Sequence, residues 1–279
     1  PRPIVDHKGR VVMVLVGRPH DDSWMAEVAD DAAAAMHDAS SECAFTKAQT
    51  DHRRGRFPAL AIGVSFGGGQ RIPGNLANTA RNKTALERLL QRSSIKRLAG
   101  FASSSLALFA PKLAQYYEST MDSLFKSDPK LRRNFRNSYF PSSTFNLGPQ
   151  VECLPHYDTA NLSFGWCSIT ALGTYDPCLG GHIVFWELGL VIEFPPGSTI
   201  DTPSALFKHG NVKIRKGEKR FSFTQYAAAG LFRWVANGMK SDKQLALSDP
   251  KRKREMDSQS SERWRKGLDM FSTLSELME

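Results

Sequence analysis

The sequence predicts an α+β chain, helical in its first half and strand-rich in its second. Two long runs between residues 78 and 127 place apolar residues at helical spacing. From about Ser142 the texture changes to short runs of Phe, Ile, Val, Thr and Trp separated by Gly and Pro. Six such runs lie within about 90 residues, which suits a barrel or sandwich better than a βαβ repeat.

The elements follow in order. VVMVLVG from Val11 reads as a short buried strand. Asp21 and Asp22 open a helix through Ser40, with acids in the first turn where the helix dipole favours them. His20 beside them completes an H-x-D triplet, read here as a helix start and not a site. HRRGR from His52 is a basic loop, and ALAIGVS is a strand running into the Gly67-Gly68-Gly69 turn. Helical periods then cover 78–103 and 105–127, with Pro111 marking a bend or a start. The six strand-like runs are STFNLGPQVE, FGWCSITALG, HIVFWEL, LVIEF, STIDTPSALF and KRFSFTQYAA. AAGLFRWVANG closes this part as an amphipathic helix. One domain over 1–240 is expected, with helical support to about 140 and a β core over 142–235. Residues 241–279 read as a basic polar tail ending in a helix.

Composition narrows the function. No stretch approaches the roughly 18 apolar residues of a membrane helix. No secretory leader is visible at Pro1, and a start without Met reads as a trimmed chain. The four cysteines form no C-x-x-C pair, so neither a zinc ribbon nor a disulfide framework is expected. The net charge of +9 is unevenly spread: −4 over 1–51, +12 over 52–136, −6 over 137–207 and +7 over 208–279. Basic blocks thus flank a segment with no Lys or Arg, a layout suited to holding a polyanion around a pocket that is not itself positive.

His156-Tyr157-Asp158 follows the strand ending near Val151. Residues two apart in extended chain point the same way, so His156 and Asp158 offer two ligands from one face. His209 follows a later strand and supplies a third. Two histidines and a carboxylate on one face of a metal, with positions left open, suit an iron(II) oxygenase. Arg220 and Ser222 lie beyond on the last strand run. A buried Arg fork and a hydroxyl on the same face would grip the distal carboxylate of 2-oxoglutarate. Zinc would suit the ligands too, but would leave the Arg-x-Ser pair without a purpose.

These residues carry a resemblance. CLPHYDTANLSFGWCSITALGTYDPCLGGHIVFWELGLVIEFPPGSTI and HGNVKIRKGEKRFSFTQYAAAGLFRWV, within Ser142–Val235, resemble the TET/JBP nucleic-acid dioxygenases of the basidiomycete fungal type. The resemblance implies a double-stranded β-helix (jelly-roll, cupin-like) core, Fe(II), 2-oxoglutarate and O2, and oxidation of methyl groups on DNA bases. 5-Methylcytosine oxidation is the expected activity, N6-methyladenine demethylation a secondary one, and a nuclear protein is expected. His156, Asp158 and His209 then match the iron ligands, and Arg220 and Ser222 the co-substrate grip. His182 resembles a histidine that contacts the co-substrate, and Asn146 resembles an asparagine that does so in related base-repair dioxygenases.

A base in a duplex must be flipped to reach such a centre. Tyr157, Asn161 and Phe164 are expected to line the base pocket, with Asp201 as a further acceptor; an acid inside a strand run otherwise needs a partner. Arg53, Arg54, Arg56, Arg71, Arg81 and Lys83 are expected at the phosphates, with Gly68 and Gly69 allowing close backbone approach. Lys251–Arg254 resembles a nuclear-import cluster. A monomer bound to duplex DNA, with no membrane, is expected. The alternatives are a hydroxylase of a small molecule or protein, which has no need of the basic blocks, and an inactive nucleic-acid-binding module, which has no need of an intact ligand set.

Overall fold

A computed structural model describes residues 1–279, the side chain of Ser260 excepted. Eleven strands form two antiparallel sheets. They are β1 (Arg2–Val5), β2 (Val11–Gly17), β3 (Ala59–Ser65), β4 (Gly74–Asn75), β5 (Ser142–Asn146), β6 (Cys167–Thr174), β7 (Ile183–Phe185), β8 (Leu190–Ile192), β9 (Thr199–Thr202), β10 (His209–Asn211) and β11 (Lys219–Tyr226). The large sheet runs β1-β2-β9-β6-β11-β5-β3-β4 and the small one β10-β7-β8. Met13, Ile169 and Ile200 of the large sheet pack on Ile183 and Phe185 of the small one, closing a two-sheet double-stranded β-helix.

The second half matches the strand runs, with one division. STIDTPSALF holds only β9, and His209 starts a separate strand, β10, paired with β7. The first half gives more to the sheet than the helical periods suggest, since β1–β4 complete both of its edges.

Helices cover the outer face of the large sheet. A π-helical turn at Trp24–Asp30 leads into α1 (Asp31–Glu42). The 78–103 run is two helices, α2 (Ala80–Gln91) and α3 (Ser93–Phe109), because Arg92 turns extended at φ −62°, ψ 133°. Pro111 starts α4 (Pro111–Ser127), where its missing N–H costs nothing. Leu86, Leu89, Ile95 and Leu98 pack on Phe145, Phe221 and Phe223. Strand alternation therefore sends the odd residues of β11 to the helices and leaves Arg220, Ser222 and Thr224 facing inward.

After α5 (Ala229–Ala236) the tail folds back on the domain. Phe271 is buried and stacks on Trp166 with centroids 6.5 Å apart. The Val11 N–H donates to the Ser272 carbonyl at 2.8 Å, and Lys112 pairs with Glu276 at 2.8 Å. The polar extension read from the sequence thus ends as part of the core, because Phe271 and Leu268 bury apolar surface there.

Candidate metal centre and adjoining pockets

The small sheet and its incoming loop bring three donors together. His156 and His209 form an antiparallel bridge, each backbone N–H donating to the other's carbonyl at 3.0 and 2.9 Å. Asp158 is held by its own N–H, which donates to the Ser204 carbonyl at 2.9 Å. Its carboxylate lies 3.7 Å from His156 Nε2 and 3.8 Å from His209 Nε2, and donor atoms of all three lie within 4.8 Å of one another.

The tautomers suit a metal. His156 Nδ1 is 2.7 Å from the Leu154 carbonyl and His209 Nδ1 is 2.9 Å from the Phe207 carbonyl. A carbonyl only accepts, so each Nδ1 carries the proton and each Nε2 keeps its lone pair for a ligand bond. Burial, and then the neighbouring His209, push the His156 imidazole down to about 4, so it is neutral near pH 7. Two histidines presenting Nε2 and one carboxylate fit a divalent iron with open positions.

The same cavity holds Arg220, Ser222, Thr224, Asn146, Ile169 and Ile183. Arg220 is 2% exposed and pairs with no acid among the described residues. Its guanidinium donates long bonds of 3.3 Å to the Val151 carbonyl and Asn211 Oδ1, and its Nε has no partner. Across the β11–β5 register Asn146 Nδ2 donates to Ser222 Oγ at 2.8 Å, leaving the buried Asn146 Oδ1 unpartnered. A buried cation without an anion is costly, so these orphaned groups fit a carboxylate-bearing molecule in the cavity.

A second pocket, of about 240 Å³, shares Asp158, Arg54 and Thr224 with the first. Arg53, Ala61, Thr144, Ala160, Asn161 and Tyr226 complete its wall. Asn161 Nδ2 donates to Cys167 Sγ at 3.1 Å and to Ser204 Oγ at 3.2 Å, so its Oδ1 is the atom left for the pocket. Burial holds the Tyr226 hydroxyl above its ordinary range, so it stays protonated.

The other expected site residues fall in different places. Phe164 lies outside the pocket wall; it packs on Tyr116 and on Gly267, where a Cβ would meet its ring at 2.7 Å. Tyr157 points away from its two ligand neighbours, as alternation requires, and its hydroxyl donates to Glu187. His182 precedes Ile183, and since Ile183 faces the cavity, His182 is turned to the other face. Asp201 is fully buried, with Ser168 across the strand pair and Ser105 of α3 as its polar neighbours. No hydrogen bond closes on either of its oxygens, and burial pushes its carboxyl up to about 7. It faces the helix layer and not the pocket.

Among the residues expected at phosphates, Arg53 reaches the metal loop, with its guanidinium 3.6 Å from Asp158 and donating to the Tyr157 carbonyl. Arg54 lines both pockets. Arg56 is 4.0 Å from Asp51, Arg81 donates to the Glu42 carbonyl, and Lys83 is 3.8 Å from Glu87. Gly68 and Gly69 adopt φ of 57° and 92° in an exposed turn that also carries Arg71. Arg54 as a cavity residue had no signal in the sequence beyond its place in the basic loop, and Thr224 and Tyr226 none beyond their place on the last strand.

The chain is similar to several solved structures. NgTET1 in complex with 5mC DNA aligns at 17% identity and TM-score 0.49, over 62% of this chain and 61% of that one. The chain therefore spans less than two thirds of that protein's length. OsALKBH1 aligns at 11% identity and TM-score 0.42, over 81% and 98%. An oxidoreductase of the 2OG-Fe(II) oxygenase family from Burkholderia pseudomallei aligns at 17% and 0.40, over 81% and 88%. No protein-family model and no curated protein matches the chain.

Proposed function

We propose that the chain is an Fe(II)- and 2-oxoglutarate-dependent dioxygenase that oxidises methyl groups on DNA bases. One observation carries the reading: a buried, acid-free Arg220 shares a cavity with two Nε2-presenting histidines and a carboxylate. His156, Asp158 and His209 would hold the iron. Bound iron, with 2-oxoglutarate and O2, supplies one oxygen atom for a substrate C–H bond and releases succinate and CO2.

The chain's own residues position the reactants. Arg220 neutralises the distal carboxylate of the co-substrate, and Ser222 and Asn146 add hydrogen bonds from the paired strands. Arg53 restrains the loop carrying Asp158. The second pocket presents the substrate methyl beside Asp158, with Tyr226 as an aromatic wall and Asn161 Oδ1 as an acceptor. An acceptor there fits the exocyclic amino group of cytosine or adenine. Oxidation of 5-methylcytosine leaves the hydroxyl on carbon, open to further oxidation. Oxidation of N6-methyladenine leaves it on a carbon bound to nitrogen, which collapses to adenine and formaldehyde.

The test is co-substrate turnover. Succinate should form with Fe(II), 2-oxoglutarate and an oligonucleotide carrying either base, above the rate with unmodified DNA. Equal turnover on both DNAs would point to a small molecule or protein as substrate.

A further inference from the structure

A basic groove lies outside the site already described. It measures about 730 Å³ and runs between β3, β4, α2 and the loop at 130–134. Its walls carry Lys83, Lys130, Arg132 and Arg133 against a single acid, Glu87. Lys83 and Arg132 share Glu87, at 3.8 and 3.9 Å, so one carboxylate serves two cations. Lys130 is exposed and pairs with no acid among the described residues. Arg133 contacts Asp122. The groove therefore keeps a positive excess.

Its floor is polar. Asn78 Nδ2 donates to the Ala61 carbonyl at 2.9 Å, and Asn134 Nδ2 to the Ile62 carbonyl at 2.9 Å. The groove also adjoins the base pocket. Ala61 lines the base pocket and Ile62, the next residue on β3, lines the groove. Only the thickness of this strand separates the two. The exposed Gly67–Gly69 turn with Arg71 connects β3 to β4 at the same edge.

We infer that this groove holds the phosphodiester backbone of the nucleic acid whose base enters the pocket, with Lys83, Lys130 and Arg132 at the phosphates. The inference rests on the nucleic-acid reading proposed above. A small methylated ligand would use the base pocket alone and would have no use for a basic groove on the opposite face of β3.

The experiment compares the full chain with Lys130→Glu/Arg132→Glu, using fluorescence anisotropy of an unmodified 24-base-pair duplex across a salt series. Both side chains are exposed, so the fold should survive. The control is Lys8→Glu, in the turn beside β1 at the opposite edge of the large sheet. The double variant should bind about 10-fold or more weakly at low salt, with its salt slope reduced by about two, while the control matches wild type. Co-substrate turnover without DNA should be equal in all three. If wild type binds and the double variant matches it in affinity and slope, the groove assignment is wrong and the nucleic-acid reading stands. If wild type binds no duplex at low salt, both fall.

Discussion

Arg220 and Asp158 line one cavity without forming an ion pair. A buried cation and a carboxylate in one cavity would ordinarily neutralise each other. Here Asp158 is turned to the two histidines and the Arg220 guanidinium to Val151 and Asn211, which suits a molecule that is anionic at one end and binds metal at the other. Arg220→Ala should therefore raise the 2-oxoglutarate concentration needed for half-maximal succinate formation by about 10- to 100-fold, the loss of a charge-assisted contact. Iron binding should barely change. An unchanged 2-oxoglutarate dependence would assign Arg220 to structure alone.

Asn161→Ala should act on substrate and leave the co-substrate alone. The side chain is anchored by Cys167 and Ser204 and offers Oδ1 to the pocket. Its loss should cost about 1–3 kcal/mol of substrate discrimination, or about 5- to 150-fold in kcat/KM on methylated DNA. The KM for 2-oxoglutarate should stay within about twofold, and steady-state kinetics with each reactant varied in turn measures both.

Asp201 predicts a pH dependence of stability. Its carboxyl is raised from 3.8 to about 7 by burial without a closed hydrogen bond. The folded state then holds a proton that the unfolded chain releases, so unfolding free energy falls as pH rises between about 4 and 7. Stability from this group is fully present below about 4 and lost above about 7. Asp201→Asn removes the titration and should stabilise the protein at pH 8 by on the order of 2–4 kcal/mol. Urea melts from pH 5 to 8 measure it. Parallel curves for the two proteins would mean that Asp201 ionises normally.

The C-terminal segment should be needed for stability. Phe271→Ala opens a cavity beside Trp166 and should cost about 3 kcal/mol. Thermal unfolding compared with an exposed change such as Met278→Ala tests this; equal Tm values would show the segment to be a loose appendage.

Much of the centre was legible because its spacing is local. His156 and Asp158 share a face two residues apart, as do Arg220 and Ser222, and strand alternation converts each spacing into a direction. His209 was legible as a histidine after a strand run, though its pairing with β7 was not. The second pocket was hidden because its wall gathers β3, β5, β11 and a loop, and no local pattern joins Ala61, Thr144 and Tyr226. Phe164 was misplaced for the same reason: its partner Gly267 comes from the far end of the chain. Asp201 shows the limit of an alternation argument. Its strand is buried on both faces, so period alone could not say whether it met the pocket or α3.

The most direct test of the central claim is mass spectrometry of nucleosides from methylated duplex DNA incubated with the protein, Fe(II), 2-oxoglutarate and O2. The proposal predicts loss of 5-methylcytosine with the appearance of its hydroxymethyl form, and no change with His209→Ala or Asp158→Ala. Unaltered 5-methylcytosine and N6-methyladenine, with 2-oxoglutarate consumed on another acceptor, would contradict it.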